Sequence, residues 1–370
     1  MEFKVSTNDR TGAGAPVGAA AQTGYGDAAP AGEPSRHHGG TYAALDLGTN
    51  NCRLLVARPS RDGFRIVDAF SRIVRLGEGL SQTGRLGGPA MERTLEALEI
   101  CADKMDARGV TRARLIATEA CRVAENGPQF VEKARKRVGL DLEIVDRETE
   151  AHLAAAGCAS LADPDAEGVV LFDIGGGSSE IVWLSRDTGA GQGVDSRERV
   201  RVWASLRLGV VSIAEQFGGI DVSAETYERM VAHVEGRLAP FVARTAEEAR
   251  DSKFHLLGTS GTVTTIAGVH LGLQRYDRRR VDGLWMTADD ATSAINMLRG
   301  MSYAERAANG CIGAERADLV LAGCAIFDAI RRSFPADRVR IADRGLREGI
   351  LMQLMSADGV WNGGRGISGP

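Results

Sequence analysis

Two short stretches constrain this chain more than anything else in it: Ala44-Leu45-Asp46-Leu47-Gly48-Thr49-Asn50 and Leu171-Phe172-Asp173-Ile174-Gly175-Gly176-Gly177-Ser178. Each is an apolar run, an aspartate, an apolar residue, then glycine and small polar residues. Each continues into a second apolar run, Cys52-Arg53-Leu54-Leu55-Val56-Ala57 and Glu180-Ile181-Val182-Trp183-Leu184. The pattern predicts two hairpins with polar tips. Glycine lets a backbone approach a ligand closely, and successive N–H groups in such a turn form a concave anion nest. The aspartate that enters each turn then suits a cation riding on phosphate, because bare carboxylate and phosphate repel.

The length of 370 residues suggests two domains. That agrees with the duplication. With 44% hydrophobic and 25% charged residues, the composition is that of an ordinary water-soluble globular protein. A formal charge of −4 argues against a generally basic nucleic-acid binder. No run supplies the ~20 apolar residues of a membrane span, and no secretory pattern opens the chain, so a cytoplasmic location with no DNA or membrane partner is expected. The cysteines Cys52, Cys101, Cys121, Cys158, Cys311 and Cys324 show no metal-ligand spacing and are expected to be reduced core thiols.

Residues 1–40, poor in large apolar side chains, are expected to form a disordered tail. From residue 41 a meander gives way to alternating helix and strand patterns, and the same order recurs after residue 166. The expected architecture is α/β: two similar lobes with mixed five-stranded sheets flanked by helices, and an active site in the cleft between them. Lobe I is expected over 41–165 and lobe II over 166–357, with the last helix packing back on lobe I. A flexible tail is expected over 358–370. The glycine-rich stretch around 185–200 reads as a hairpin tip.

Gly258-Thr259-Ser260-Gly261-Thr262 follows a strand pattern and opens a helix pattern, where free N–H groups and the helix dipole favour an anion. It is a third candidate phosphate turn, with Gly258, Ser260 and Gly261 as its contacts. Ala342-Asp343-Arg344-Gly345 has a similar plan. Thr118-Glu119-Ala120-Cys121-Arg122 leaves a strand with an arginine that could brace a phosphoryl group. Arg147-Glu148-Thr149-Glu150 opens a helix, so Glu148 and Glu150 are each either capping residues or a general base whose pKa a polyanion would raise. The residues alone leave both open. Arg135-Lys136-Arg137 and Arg278-Arg279-Arg280 read as solvated faces, the second with a capacity to guide a polyanion.

Six motifs in order, the two hairpin turns and four of the stretches just quoted, resemble those of the exopolyphosphatase and guanosine pentaphosphate phosphohydrolase family, within the superfamily of actin-like ATPases, sugar kinases and chaperones. They are Ala44 to Asn50, Ala117 to Arg122, Glu148-Thr149-Glu150-Ala151, Asp173 to Glu180, Gly258 to Thr262, and Asp343-Arg344-Gly345-Leu346-Arg347-Glu348-Gly349. The resemblance covers about residues 42 to 356. It implies two ribonuclease H-like lobes and hydrolysis of a terminal phosphoanhydride in inorganic polyphosphate or guanosine pentaphosphate, with Mg²⁺ or Mn²⁺ and water as nucleophile.

Carried over position by position, the resemblance implies Glu150 as base, Arg122 as a phosphate ligand, and Asp173, Glu180 and Glu150 at the metal. Asp46, Gly48, Thr49 and Asn50 and, opposite them, Gly175, Gly176, Gly177 and Ser178 are implied as paired phosphate loops. An ATP-dependent kinase or ATPase of the same superfamily and a non-catalytic alarmone sensor are the alternatives; a homodimer is left open. Longer relatives carry a helical domain with a His-Asp motif, and this sequence contains no His-Asp pair.

Overall fold

The computed structural model describes residues 2–5, 40–61, 63–185, 200–250 and 252–360. Among them twelve strands run in chain order: β1 (Glu2–Val5), β2 (Thr41–Leu47), β3 (Asn51–Ser60), β4 (Gly63–Ile73), β5 (Val110–Ala117), β6 (Glu143–Ile144), β7 (Gly168–Ile174), β8 (Ser179–Ser185), β9 (Val200–Leu206), β10 (Phe254–Thr259), β11 (Trp285–Thr287) and β12 (Arg338–Ala342). They form two mixed sheets. The first has the order β4-β3-β2-β5-β6, and the second β1-β9-β8-β7-β10-β12-β11. In both, an antiparallel meander supplies one side and parallel strands the other.

The two-lobed α/β expectation holds, and the first sheet has its five strands. The second is larger than the expected five. β11 adds antiparallel to β12, and β1 adds antiparallel to β9. The residues of β1 fall in the stretch expected to be a disordered tail; the open edge of β9 carries unpaired backbone groups that can take a further strand whatever the composition around it. The rest of that stretch up to residue 39, the hairpin tip at 186–199 and the tail from residue 361 lie outside the described residues.

Hydrophobic burial separates the lobes into distinct cores. Leu45, Leu47, Leu54, Leu95, Leu98 and Phe130 pack between the first sheet and the helices Gly88–Ala107 and Gly127–Val138. Phe172, Trp183, Tyr227, Phe241 and Phe327 centre the larger core of the second lobe. Two helices cross over between the lobes. Arg147–Cys158, from the first half of the chain, lays Ala151, Ala155 and Cys158 on the second sheet against Leu171, Val182 and Leu257. Leu346–Ala357, from the end of the chain, lays Leu346, Ile350 and Leu351 on the first sheet against Tyr42, Leu55 and Ile116.

The two crossing helices meet at backbone distance through glycine. A Cβ on Gly349 would lie 2.0 Å from the carbonyl oxygen of Leu153, and one on Gly157 would lie 1.9 Å from that of Gly345. No larger residue fits at either point. No helix among the described residues is long and apolar enough to cross a membrane. All six cysteines are buried and free.

Candidate active site

The first hairpin turns tightly, with the Gly48 N–H donating to the Asn51 carbonyl at 2.9 Å. The second closes in the same way, Gly175 N–H donating to Ser178 O at 3.0 Å. The two tips meet across the cleft. A Cβ on Gly176 would stand 3.1 Å from Thr49 Cβ and 3.2 Å from the Asn50 backbone nitrogen, and one on Gly177 2.6 Å from Thr49 Oγ1, so the lobes approach closely through glycine. Thr49, Asn50 and Ser178 are buried, and the Asn50 Oδ1 has no hydrogen-bond partner. An orphaned buried acceptor at the tip of a glycine turn points to a ligand or water that completes it.

Register makes the two copies chemically different. Asp46 pairs directly with Arg53, whereas Asp173 pairs directly with Glu180. One hairpin therefore presents an anion and a cation, the other two anions. Burial, then the Asp173 charge, pushes the Glu180 carboxyl up to about 7; the Ser205 hydroxyl, donating at 2.9 Å, works the other way. Burial pushes Asp173 up to about 6, against the pull of Arg53. Asp46 is raised as well, by burial opposed by Arg53 and Arg347.

The cleft is lined by Asp46, Gly48, Thr49, Asn50, Glu150, Asp173, Gly175, Gly176, Gly177, Ser178, Glu180, Ser260 and Gly261. That is every candidate except two. Gly258 lies inside β10, where a Cβ would come within 2.6 Å of the Phe172 ring, so it serves core packing and does not line the cleft. Arg122 lies one layer back. Its guanidinium donates to Glu119 Oε2 at 2.6 and 3.1 Å, to the Val145 carbonyl at 2.7 Å and to Glu150 Oε2 at 3.0 Å. Here it braces Glu150 and does not itself line the cleft.

Glu150 sits in the first turn of the Arg147–Cys158 helix with its side chain 12% exposed, at the cleft wall. Glu148 does not line the cleft. The cap belongs to Asp146, whose Oδ1 accepts from Thr149 N–H at 2.7 Å. Burial and then the facing Glu180 hold the Glu150 carboxyl well above its ordinary range, with Arg122 pulling it back. A raised pKa makes the carboxylate a stronger base toward a water within its reach.

Ser260 precedes the Gly261–His270 helix at φ +92° and ψ 174°, a region that side-chain-bearing residues rarely occupy. Its hydroxyl is buried without a partner and faces the cleft. Strained backbone and an orphaned hydroxyl at one residue mark a position built for a ligand.

A second chamber opens from the first through Asp46, Arg53, Asp173, Ser260 and Arg316, and continues to Tyr276, Asp343, Arg344 and Arg347. Arg53, Arg316 and Arg347 bring guanidinium groups to its wall beside the carboxylates of Asp46, Asp173, Asp343 and Glu348; burial and repulsion from Arg53 lower the pKa of both Arg316 and Arg347. Sequence reasoning missed these three. Arg53 had a signal, since it stands at the same offset from Asp46 as Glu180 from Asp173. Arg278, read as part of a solvated run, turns inward to donate to Glu348 at 3.0 Å. Among the described residues no three Asp, Glu, His or Cys side chains are arranged to hold a metal ion by themselves, so Asp173, Glu180 and Glu150 are not a ready-made cage.

The model of the Ppx/GppA phosphatase family matches residues 55–358. The chain belongs to the Ppx/GppA phosphatase family. It is 27% identical to a provisionally named exopolyphosphatase of Haemophilus influenzae over 324 residues, 86% of this chain and 93% of that protein. It is 26% identical to the guanosine-5'-triphosphate,3'-diphosphate pyrophosphatase of Aeromonas hydrophila, over 86% of this chain but 60% of that protein. Among solved structures, the Ppx/GppA family member of Aquifex aeolicus is 28% identical with a TM-score of 0.69, covering 86% of this chain and 98% of its own. An exopolyphosphatase from Cytophaga hutchinsonii, 22% identical over 87% of this chain and 99% of its own, has a TM-score of 0.76 and shares the fold.

Proposed function

We propose that this Ppx/GppA phosphatase hydrolyses the terminal phosphoanhydride of a polyphosphorylated substrate, inorganic polyphosphate or guanosine pentaphosphate, with Glu150 as general base. The observation that carries the reading is the position of Glu150: a carboxylate of raised pKa, braced by Arg122, on the wall of a cleft whose two glycine turns touch. The turns offer N–H groups to the terminal phosphate. Glu150 takes a proton from a water aimed at that phosphorus, the bond to the bridging oxygen breaks, and the shortened polyanion keeps its negative charge against Arg53, Arg316 and Arg347.

Asp173 and Glu180, directly opposed and acidic, suit Mg²⁺ or Mn²⁺, which typically binds through one or two carboxylates plus substrate oxygens and waters. When bound, the ion would neutralise phosphate charge and polarise the anhydride. The rest of its coordination would come from substrate and water, which agrees with the lack of a three-residue cage among the described residues.

The test is turnover of short polyphosphate, long polyphosphate and guanosine pentaphosphate side by side, with Mg²⁺ and no added nucleotide. Release of phosphate from at least one of them, abolished in Glu150→Gln, is expected. Full activity in Glu150→Gln, or phosphate release only in the presence of ATP, overturns the reading.

A further inference from the structure

We infer that Arg75 is an interlobe latch: a positioning residue that holds the two phosphate turns in register by tying lobe I to lobe II. The inference rests on the proposed role of those turns, and its structural half stands apart from it.

The segment 74–81 follows β4 and is wired to the first phosphate turn. Val74 and Arg75 both donate their N–H groups to the Asn50 carbonyl, at 2.9 and 3.0 Å, and Gly77 donates to the Thr49 carbonyl at 2.9 Å. At its other side the same segment reaches lobe II. The Arg75 guanidinium donates to both carboxylate oxygens of Asp318, at 3.0 and 3.1 Å, and to the Glu315 carbonyl at 2.9 Å. Gly79 N–H donates to Glu215 Oε1 at 3.2 Å, and the Ser81 hydroxyl donates to Glu215 Oε2.

Both anchor points in lobe II lead straight to the site. Glu215 lies on the Val210–Phe217 helix, whose first two N–H groups donate to the carbonyls of Gly175 and Gly176 in the second phosphate turn, at 3.0 and 2.9 Å. Asp318 lies two residues from Arg316, a cation of the cleft, and next to Leu319 in the cleft lining. One short strap thus connects the carbonyls of one turn to the helix that carries the other. Arg75 also adopts φ +47°, a left-handed conformation unusual for a side chain of its size, and that conformation is part of the strap that reaches lobe II.

The pair is partly exposed, 35% for Arg75 and 26% for Asp318, so water can compete for it. The latch is therefore of the strength that lets lobes open and reclose. Weakening it lowers the closed fraction, and apparent affinity falls by that fraction while bound substrate still closes the cleft.

The test uses the whole chain with spin labels on Ile100→Cys and Met297→Cys, exposed positions on lobe I and lobe II helices, against a background of buried native cysteines. Interlobe distances are measured without substrate in the parent, in Arg75→Ala, in Arg75→Gly, which leaves the left-handed backbone unstrained, and in the charge swap Arg75→Asp with Asp318→Arg. Longer distances in both single variants, and a return to the parent distribution in the swap, are expected. On the active substrate KM should rise about 5- to 10-fold in the single variants with kcat changed less than about 2-fold. Unchanged distances in a folded Arg75→Gly, or a swap that does not restore them, overturn the latch. Distances that respond in a protein that turns over none of the polyanions leave the latch standing and overturn the hydrolase reading.

Discussion

Asp173 faces Glu180 directly across the β7–β8 pair, where the matching step of the first hairpin sets Asp46 against Arg53. Like charges opposed on a sheet destabilise it, by roughly 0.2–1 kcal/mol for an ordinary pair. An arrangement that costs stability in the bare protein and suits a hard cation is what the proposed Mg²⁺ site requires. Glu180→Gln should therefore melt higher than the parent in EDTA, yet lose the stabilisation that millimolar Mg²⁺ confers on the parent, which follows RT ln(1 + [L]/Kd). Differential scanning fluorimetry with and without Mg²⁺ measures both; equal Mg²⁺ stabilisation in the two proteins contradicts the assignment.

The pH dependence of the metal-free protein follows from the same pair. Glu180 titrates near 7 and Asp173 near 6 in the fold, above their ordinary 4.5 and 3.8. A raised carboxyl binds more protons folded than unfolded, so its contribution is fully present below the unfolded value and is lost as pH rises through the folded one. Between about pH 4 and 7 these two groups make the metal-free protein progressively less stable. Mg²⁺ should restore more stability at pH 8 than at pH 5. Melting curves across that range in EDTA and in Mg²⁺ check it, with Asp173→Asn and Glu180→Gln as the variants that flatten the dependence.

Glu150→Gln removes the proposed base while keeping the volume and a hydrogen-bond acceptor for Arg122. Loss of a positioned general base typically costs ~10²–10⁴-fold in turnover. The loss should appear in kcat, with binding of a polyphosphate chain by calorimetry within a few fold of the parent. A drop in affinity equal to the drop in rate would mean that Glu150 holds substrate instead.

Glycine at the helix crossing is a test of the fold. Gly349→Ala drives a methyl into the Leu153 carbonyl and should destabilise by at least ~2 kcal/mol, as overpacking does. Gly236, also in a helix, has open space around its Cβ position, so Gly236→Ala should stabilise by roughly 0.5–1 kcal/mol. Chemical denaturation of the two variants separates packing from propensity.

The strands flanking both turns, the turns themselves, and most of the helices were legible from the sequence, because apolar period and glycine placement are local properties. Where the pattern misled, the cause was distant. The Ala224–Arg250 helix runs through Pro240, a residue that local rules place at helix ends.

By itself the sequence determined that two Asp-x-Gly hairpins exist, that small residues line them, and that the chain has the ordered motifs of its family. The tertiary structure decided which groups meet. It set Glu150 on the cleft wall and Glu148 off it, placed Arg122 behind Glu150 as a brace, packed Gly258 against Phe172, and brought Arg53, Arg316 and Arg347 into one chamber. The physical reason is that a local pattern specifies backbone conformation, whereas a charge acts on whatever lies within a few ångströms of it. Those neighbours come from parts of the chain that only the crossing of the two helices brings together.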